Sequence, residues 1–168
     1  IQKESFVQKT GSDVYDDFYA DIYDYLVYSD LKNEYELGEI INKTSPTSES
    51  IILDIGSGTG HHVGALSKDN LNVIGIDKSE AMVKKAKDNY PSAKFKTGDG
   101  NDSRLFDPNS FTHILSMYFT IYYFKNKHEF FENCYKWLKP GGFLVIHLVN
   151  KDMFDPILPP GNPLLFVS

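Results

Sequence analysis

A single cysteine, Cys134, stands among the 168 residues. That excludes an internal disulfide framework and any cysteine-cluster metal site. No apolar run approaches the roughly 20 residues that a membrane-spanning helix needs. Ile1 to Gly11 reads as a polar lead-in rather than a secretory signal. No membrane partner and a cytoplasmic location are therefore expected. Positive charge is also scarce, with 17 basic residues against 23 acidic ones for a formal charge of −6. Such a chain repels polyphosphate, which sets nucleic acid aside as a partner. The five histidines show no H-x-x-x-H or carboxylate-paired ligand spacing, so no metal is expected. Internal repeats and low-complexity tracts are absent.

The length fits one domain. Asp13 to Val27 carries Tyr15, Phe18, Tyr19, Ile22, Tyr23 and Leu26 at the spacing of an amphipathic helix, with Ser12 or Asp13 as its cap. A second helix is expected from Asp30 to Ile41, turning Leu31, Tyr35, Leu37 or Gly38, and Ile41 inward. The polar, proline-broken stretch Asn42 to Ser50 follows. Residues 1–49 thus read as a helical cap with its linker, and 50–168 as an α/β core, together one compact domain. In the core, short apolar runs at Ile51–Ile55, Asn72–Ile76, Ala93–Thr97, Thr112–Met117 and Phe143–Val149 alternate with helical patterns. These helices fall near Gly60–Lys68, Ser79–Tyr90 and Lys127–Leu138, the last with Phe130, Phe131, Cys134, Trp137 and Leu138 on one face. Such alternation predicts a doubly wound parallel sheet with helices on both faces.

The densest local signal is Ile52-Leu53-Asp54-Ile55-Gly56-Ser57-Gly58-Thr59-Gly60, a buried strand running into a glycine turn and then a helix. Glycine leaves no Cβ between backbone and ligand, and the helix that follows presents unpaired N–H groups. In such sheets the ligand crevice lies at the carboxyl ends of the strands. A dinucleotide fingerprint would need a sixth-position glycine, but that position is His61. A Walker loop fails too, because no G-K-[S/T] follows. Asp77 closes the second strand 21 residues beyond Gly56, where a carboxylate can take ribose hydroxyls or cap the next helix.

Taken together, these motifs resemble the class I S-adenosylmethionine-dependent methyltransferases. DIGSGTG resembles that family's first motif, Ile76-Asp77 its second, Gly98-Asp99-Gly100 its adenine-proximal motif, and Leu138-Lys139-Pro140-Gly141-Gly142 its LKPGG turn before the fifth strand. The resemblance spans Ile51 to Val149 and implies a Rossmann-like sheet in the order 3-2-1-4-5. It implies S-adenosyl-L-methionine as cofactor, with Gly56, Ser57 and Gly58 beside its methionine part, Asp77 on the ribose, and Lys78 and Met82 flanking the adenine. Asp99 would bind the adenine amino group, with Gly98, Gly100 and Asn101 shaping that edge. Ser116, Met117 and Tyr118 would border the sulfonium, and Asp54 would reach the amino end through water. A Tyr-Asp pair closing over the cofactor is met by Tyr15-Asp16 and by Tyr23-Asp24.

The aromatic run Tyr118 to Phe124 is a candidate lining for the methyl acceptor, with about half its rings expected in the core. Tyr118 and His147 are candidate bases, although a mid-strand His147 is more simply an interior histidine. His61 and His62 either approach the cofactor carboxylate or face solvent. No catalytic residue is assigned. The acceptor expected is a small molecule. A nicotinamide-dependent oxidoreductase and a non-catalytic cofactor-binding subunit are the competing readings. The family's sixth and seventh strands find no counterpart in the proline-rich stretch Asn150 to Ser168. The chain, which begins at Ile1, therefore reads as truncated, with edge pairing through the fifth strand as an expected form of self-association.

Overall fold

The computed structural model describes residues 8–152. The lead-in residues 1–7 and the proline-dense segment 156–168 lie outside the described residues. Five parallel strands run in the order β3-β2-β1-β4-β5: β1 (Ile51–Ile55), β2 (Asn72–Asp77), β3 (Lys94–Thr97), β4 (Phe111–Ser116) and β5 (Leu138–Ile146). Five helices accompany them: α1 (Asp17–Val27), α2 (Asp30–Thr44), α3 (His61–Lys68), α4 (Glu80–Asn89) and α5 (Lys127–Trp137). No helix among the described residues is long and apolar enough to cross a membrane.

Strand alternation sorts the core onto the two faces of the sheet. Ile52 packs with Val63, Leu66, Val73, Val83, Ala86 and Leu115 under α3 and α4. Its neighbours Leu53 and Ile55 pack with Ile76, Ile114, Phe130, Cys134 and Trp137 under α5. Asp54, two residues from Ile52, consequently lies on the α3 face. The sheet tapers toward its margins: β3 shows only Phe95 buried, and β5 is half-covered along its length.

Several local expectations are corrected. Asp16, not Ser12 or Asp13, caps α1, its Oδ1 accepting the Tyr19 amide at 2.8 Å. Gly11–Val14 forms a short 3-10 turn, so Tyr15 stands ahead of the helix. Phe18 and Leu26 are exposed, because α1 covers α4 with a face centred on the buried Ala20. The inward face of α2 is Asn33, Glu36, Ile40 and Thr44, while Leu31, Tyr35 and Ile41 face outward. Apolar periodicity misses that face because ion-paired and hydrogen-bonded polar groups can be buried as well as apolar ones. Phe131 of α5 is also exposed. The LKPGG segment is not a turn ahead of β5. It bulges within it, the partner of Phe111 being Leu138 and that of His113 being Phe143, with Gly141 at φ 78°.

Phe130 is fully buried and stacks on Phe124 with ring centroids 4.5 Å apart. Phe130→Ala is expected to cost about 3–5 kcal/mol in urea-unfolding stability. A loss below about 1 kcal/mol would show that the α5 face is not packed as described.

Candidate functional site

Among the cavities at the carboxyl end of the sheet, two adjoin the glycine turn, one of about 480 Å³ and one of about 40 Å³. Tyr23, Gly56, Gly58 and Tyr118 form walls common to both. The glycine turn between β1 and α3 separates them, and its three glycines serve different ends. A Cβ on Gly56 would strike Thr120, and one on Gly60 would strike the Phe95 ring. At Gly58, with φ at 53°, a Cβ would meet nothing within 4 Å. Its open face belongs to the cavities, as expected of a backbone kept bare for a ligand.

Asp77 reaches across from the end of β2 to hold this turn. Its Oδ2 accepts the Gly58 amide at 3.0 Å and its Oδ1 the Ser79 amide at 2.9 Å. Ser79 then caps α4 by taking the Met82 amide. Burial raises the Asp77 carboxyl above its ordinary range, against the opposing pull of these amides. Asp77 lines the large cavity together with Lys78, Met82, Gly98, Asp99 and Gly100. The Lys78 ammonium lies 3.1 Å from Asp99 Oδ2 across this end, and Asp99 Oδ1 also accepts the Asn101 amide at 3.0 Å.

The small cavity is bounded by Asp54, Ser57, His61, His62 and Met117. Asp54 is 1% exposed, and neither carboxylate oxygen has a hydrogen-bond partner among the described residues. Burial pushes its carboxyl up to about 6, with Asp77 and Glu36 adding to the rise and His62 opposing it. An isolated buried carboxylate is costly, so this group is arranged to meet a positively charged or hydrogen-bond-donating partner. Ser57 Oγ is likewise buried without a partner among the described residues.

Ser116 is brought into neither cavity. It shares the sheet face of Ile114, two residues earlier, rather than that of Met117, and is fully buried. Beyond it, Tyr118 and Phe119 both adopt left-handed backbone, at φ 48° and 64°. Strain of this kind collects at sites where geometry matters more than local stability. The bend delivers Tyr118, Thr120, Tyr123, Phe124 and Lys125 to the large cavity. In the aromatic run only Ile121 is fully buried. Tyr122 and Tyr123 are exposed, Tyr118 and Phe124 pack against the two core clusters while also lining the large cavity, and Phe119 and Tyr122 line neither cavity.

Across the cavity stands Tyr15, its hydroxyl donating to that of Tyr123 at 2.7 Å and its carbonyl accepting from Ser79 Oγ at 2.6 Å. Tyr15 packs edge-on to Tyr19, Tyr23 and Tyr123 at 5.4, 6.3 and 5.7 Å. The aspartates of the two Tyr-Asp pairs do not accompany their tyrosines into the cavity. Asp16 caps α1, and Asp24 takes the Thr59 hydroxyl at 2.5 Å and lies 2.9 Å from His61 Nε2.

The structure places the two candidate bases differently. Burial, with Glu36 and Asp24 nearby, pushes the Tyr118 hydroxyl up to about 12, leaving it protonated at neutral pH. His147 lies just past the end of β5, outside both cavity walls, with Nδ1 3.1 Å from Glu36 Oε1. Instead of facing solvent, His61 stacks on Tyr28 at 3.6 Å and His62 is buried against Glu36. Sequence reasoning missed Glu36 and Lys125, since nothing in the spacing of such residues marks them in a linear chain.

An open α/β sheet with a ligand crevice at its switch point, a bare glycine turn and an acid on the adjacent strand defines a nucleotide-type binding domain. Comparison with known proteins narrows this further. The methyltransferase-domain family profile matches residues 53–146, and the chain belongs to this class I S-adenosylmethionine-dependent methyltransferase family. It is 28% identical over 141 residues to a dTDP-3-amino-3,4,6-trideoxy-alpha-D-glucopyranose N,N-dimethyltransferase of Streptomyces venezuelae, covering 79% of this chain and 58% of that protein. It is 30% identical over 142 residues to a dTDP-4-amino-2,3,4,6-tetradeoxy-D-glucose N,N-dimethyltransferase of Saccharopolyspora spinosa, covering 80% and 56%. The chain thus spans somewhat more than half the length of these relatives. A solved structure from Methanococcus maripaludis superposes with a TM-score of 0.74 at 23% identity, over 85% of this chain and 66% of that one, and shares the fold.

The unpaired Asp54 makes a stability prediction for the ligand-free protein. Its folded pKa of about 6 exceeds the ordinary aspartate value of about 3.9, so the folded state retains a proton that the unfolded state releases. The cost is absent below about pH 4, grows as pH rises, and is complete above about pH 6. Asp54→Asn should therefore stabilise the ligand-free protein near neutral pH by up to about 3 kcal/mol, the gain fading as pH falls from about 6 and gone below about pH 4. Urea titrations across pH check this, and a pH-independent difference would contradict it.

Proposed function

We propose that this chain binds S-adenosyl-L-methionine and transfers its methyl group to a small amine. The observation that carries the reading is the bare Gly58 face between an Asp77-anchored turn and the orphaned Asp54 carboxylate. The residues present fit the cofactor. Asp77 is placed to accept ribose hydroxyls while its inner lone pairs hold the turn. Met82, Asp99 and Asn101 provide an apolar surface and a polar edge suited to adenine. Asp54 offers a countercharge for the ammonium of an amino-acid tail. Ser57 and Gly58 let that tail pass between the two cavities.

When bound, the cofactor supplies an activated methyl group and a thioether leaving group. The chain's own part is to position and to exclude water. Tyr15, Tyr23, Tyr118 and Tyr123 wall the large cavity with rings whose faces attract a cation. When a neutral amine accepts a methyl group, positive charge passes to its nitrogen and stays within reach of those rings. Burial raises the Tyr15, Tyr23 and Tyr118 hydroxyls above their ordinary range, so they stay protonated at neutral pH and are available as hydrogen-bond donors to a ligand. An amine acceptor also accords with the names of the two N,N-dimethyltransferase relatives. The net acidic charge favours such a substrate over nucleic acid. No membrane partner is proposed. The fifth strand remains a candidate for edge pairing between chains.

Thermal unfolding with S-adenosylmethionine, S-adenosylhomocysteine and NADH side by side tests the cofactor. A ligand at about 100 times its dissociation constant should add roughly 2.7 kcal/mol of stability. Stabilisation by NADH without S-adenosylhomocysteine would reverse the reading. Gly58→Val should remain folded, at about 1–2 kcal/mol of backbone strain, and show no S-adenosylhomocysteine binding by calorimetry. Normal affinity in this variant would displace the turn from the site. For the acceptor, methyl-labelled cofactor offered with small primary amines, phenols and carboxylates should label the amines. Label only on oxygen would refute the amine assignment.

A further inference from the structure

Glu36 is the buried acid that neither the motifs nor the cofactor reading uses. It is carried by α2, is 7% exposed, and lies behind the small cavity rather than in its wall. Its Oε2 is hydrogen-bonded to His62 Nε2 at 3.0 Å. Its Oε1 lies 3.1 Å from His147 Nδ1, off the line of a good hydrogen bond, and 3.8 Å from the Lys32 ammonium one turn back on α2. One carboxylate thereby gathers groups from α2, the start of α3 and the segment after β5.

The gathered groups surround one ring. Lys32 Nζ stands 3.5 Å from the centroid of Tyr118, and the His62 and His147 rings meet Tyr118 edge-on at 5.9 and 6.5 Å. Tyr118 and His62 are both walls of the small cavity. The Tyr118 hydroxyl is buried without a partner among the described residues, on a backbone in the left-handed region. Nothing local to Tyr118 explains how so strained a residue keeps its place. Burial would push the Glu36 carboxyl up, but His147, His62 and Lys32 reverse this and bring it down to about 2, so it remains a charged anchor across the working pH range.

We propose that Glu36 is a positioning residue which, through His62, His147 and Lys32, fixes the wall of the small cavity formed by His62 and Tyr118, and so determines how well the cavity receives the amino-acid tail of the cofactor. The inference rests on the cofactor reading above. It goes beyond it by placing a specificity determinant on α2, outside both cavities.

The test separates the tail from the rest of the ligand. S-adenosylhomocysteine carries the amino-acid tail, whereas 5′-methylthioadenosine is an adenosine thioether without it. By calorimetry, Glu36→Ala should weaken S-adenosylhomocysteine at least tenfold and leave 5′-methylthioadenosine within about threefold. Glu36→Gln, of equal size but without charge, should show a smaller loss confined to S-adenosylhomocysteine. Glu34→Ala, at an exposed position on the same helix, should change neither. If Glu36→Ala does not fold, the Glu36→Gln comparison decides alone. Parallel weakening of both ligands would show a merely structural role and overturn the proposal, as would wild-type affinity for both. Failure of the wild-type protein to bind either ligand would overturn the cofactor reading and this inference with it.

Discussion

The Asp77 carboxylate holding the Gly58 amide is the contact on which the site depends. β1 and β2 are neighbours in a parallel sheet and end side by side, with Ile55 opposite Ile76. The Gly56 and Ser57 amides both turn back onto the Ile76 carbonyl, at 2.8 and 2.9 Å, and Asp77 secures the next turn of chain. The glycine loop is thus pinned to the second strand at three successive points. Gly56 and Gly60 are bare to make room for Thr120 and Phe95, and Gly58 alone is bare toward open space. A carboxylate that also caps no helix of its own, but hands that task to Ser79, keeps outward-facing acceptor capacity at the cavity.

Around this anchor the site divides into two electrostatic regions. One is an aromatic box of tyrosines, linked internally by the Tyr15–Tyr123 hydrogen bond and tied to the start of α4 by the Tyr15–Ser79 hydrogen bond. The other is a small pocket with an orphaned Asp54 on one side and a Glu36-braced His62 on the other. Groups left unsatisfied in a folded protein cost stability, and Asp54, Ser57 and Tyr118 converge at the smaller cavity. Such costs are tolerated where a ligand relieves them.

Much of this was legible in the chain because strand alternation and the glycine turn are local signals. β1 begins and ends where its apolar run does, and the order 3-2-1-4-5 follows from the resemblance carried by four motifs at strand ends. What stayed hidden depends on partners distant in sequence. Ser116 sits among the right neighbours, but alternation turns it to the other sheet face. α2 hides Glu36 and exposes Leu31 and Tyr35, because His62 and His147, 26 and 111 positions away, meet its carboxylate in the folded chain. The Asp16 and Asp24 side chains leave the cavity for a helix cap and for Thr59, choices that only the folded arrangement decides.

A crystal structure with S-adenosylhomocysteine tests the central claim most directly. The account predicts ribose hydroxyls on the Asp77 carboxylate, the chain of the ligand passing over Gly58 and its amino group against Asp54. Ligand density elsewhere on the molecule, or a ribose held by some other side chain while Asp77 remains bound only to Gly58 and Ser79, would contradict it.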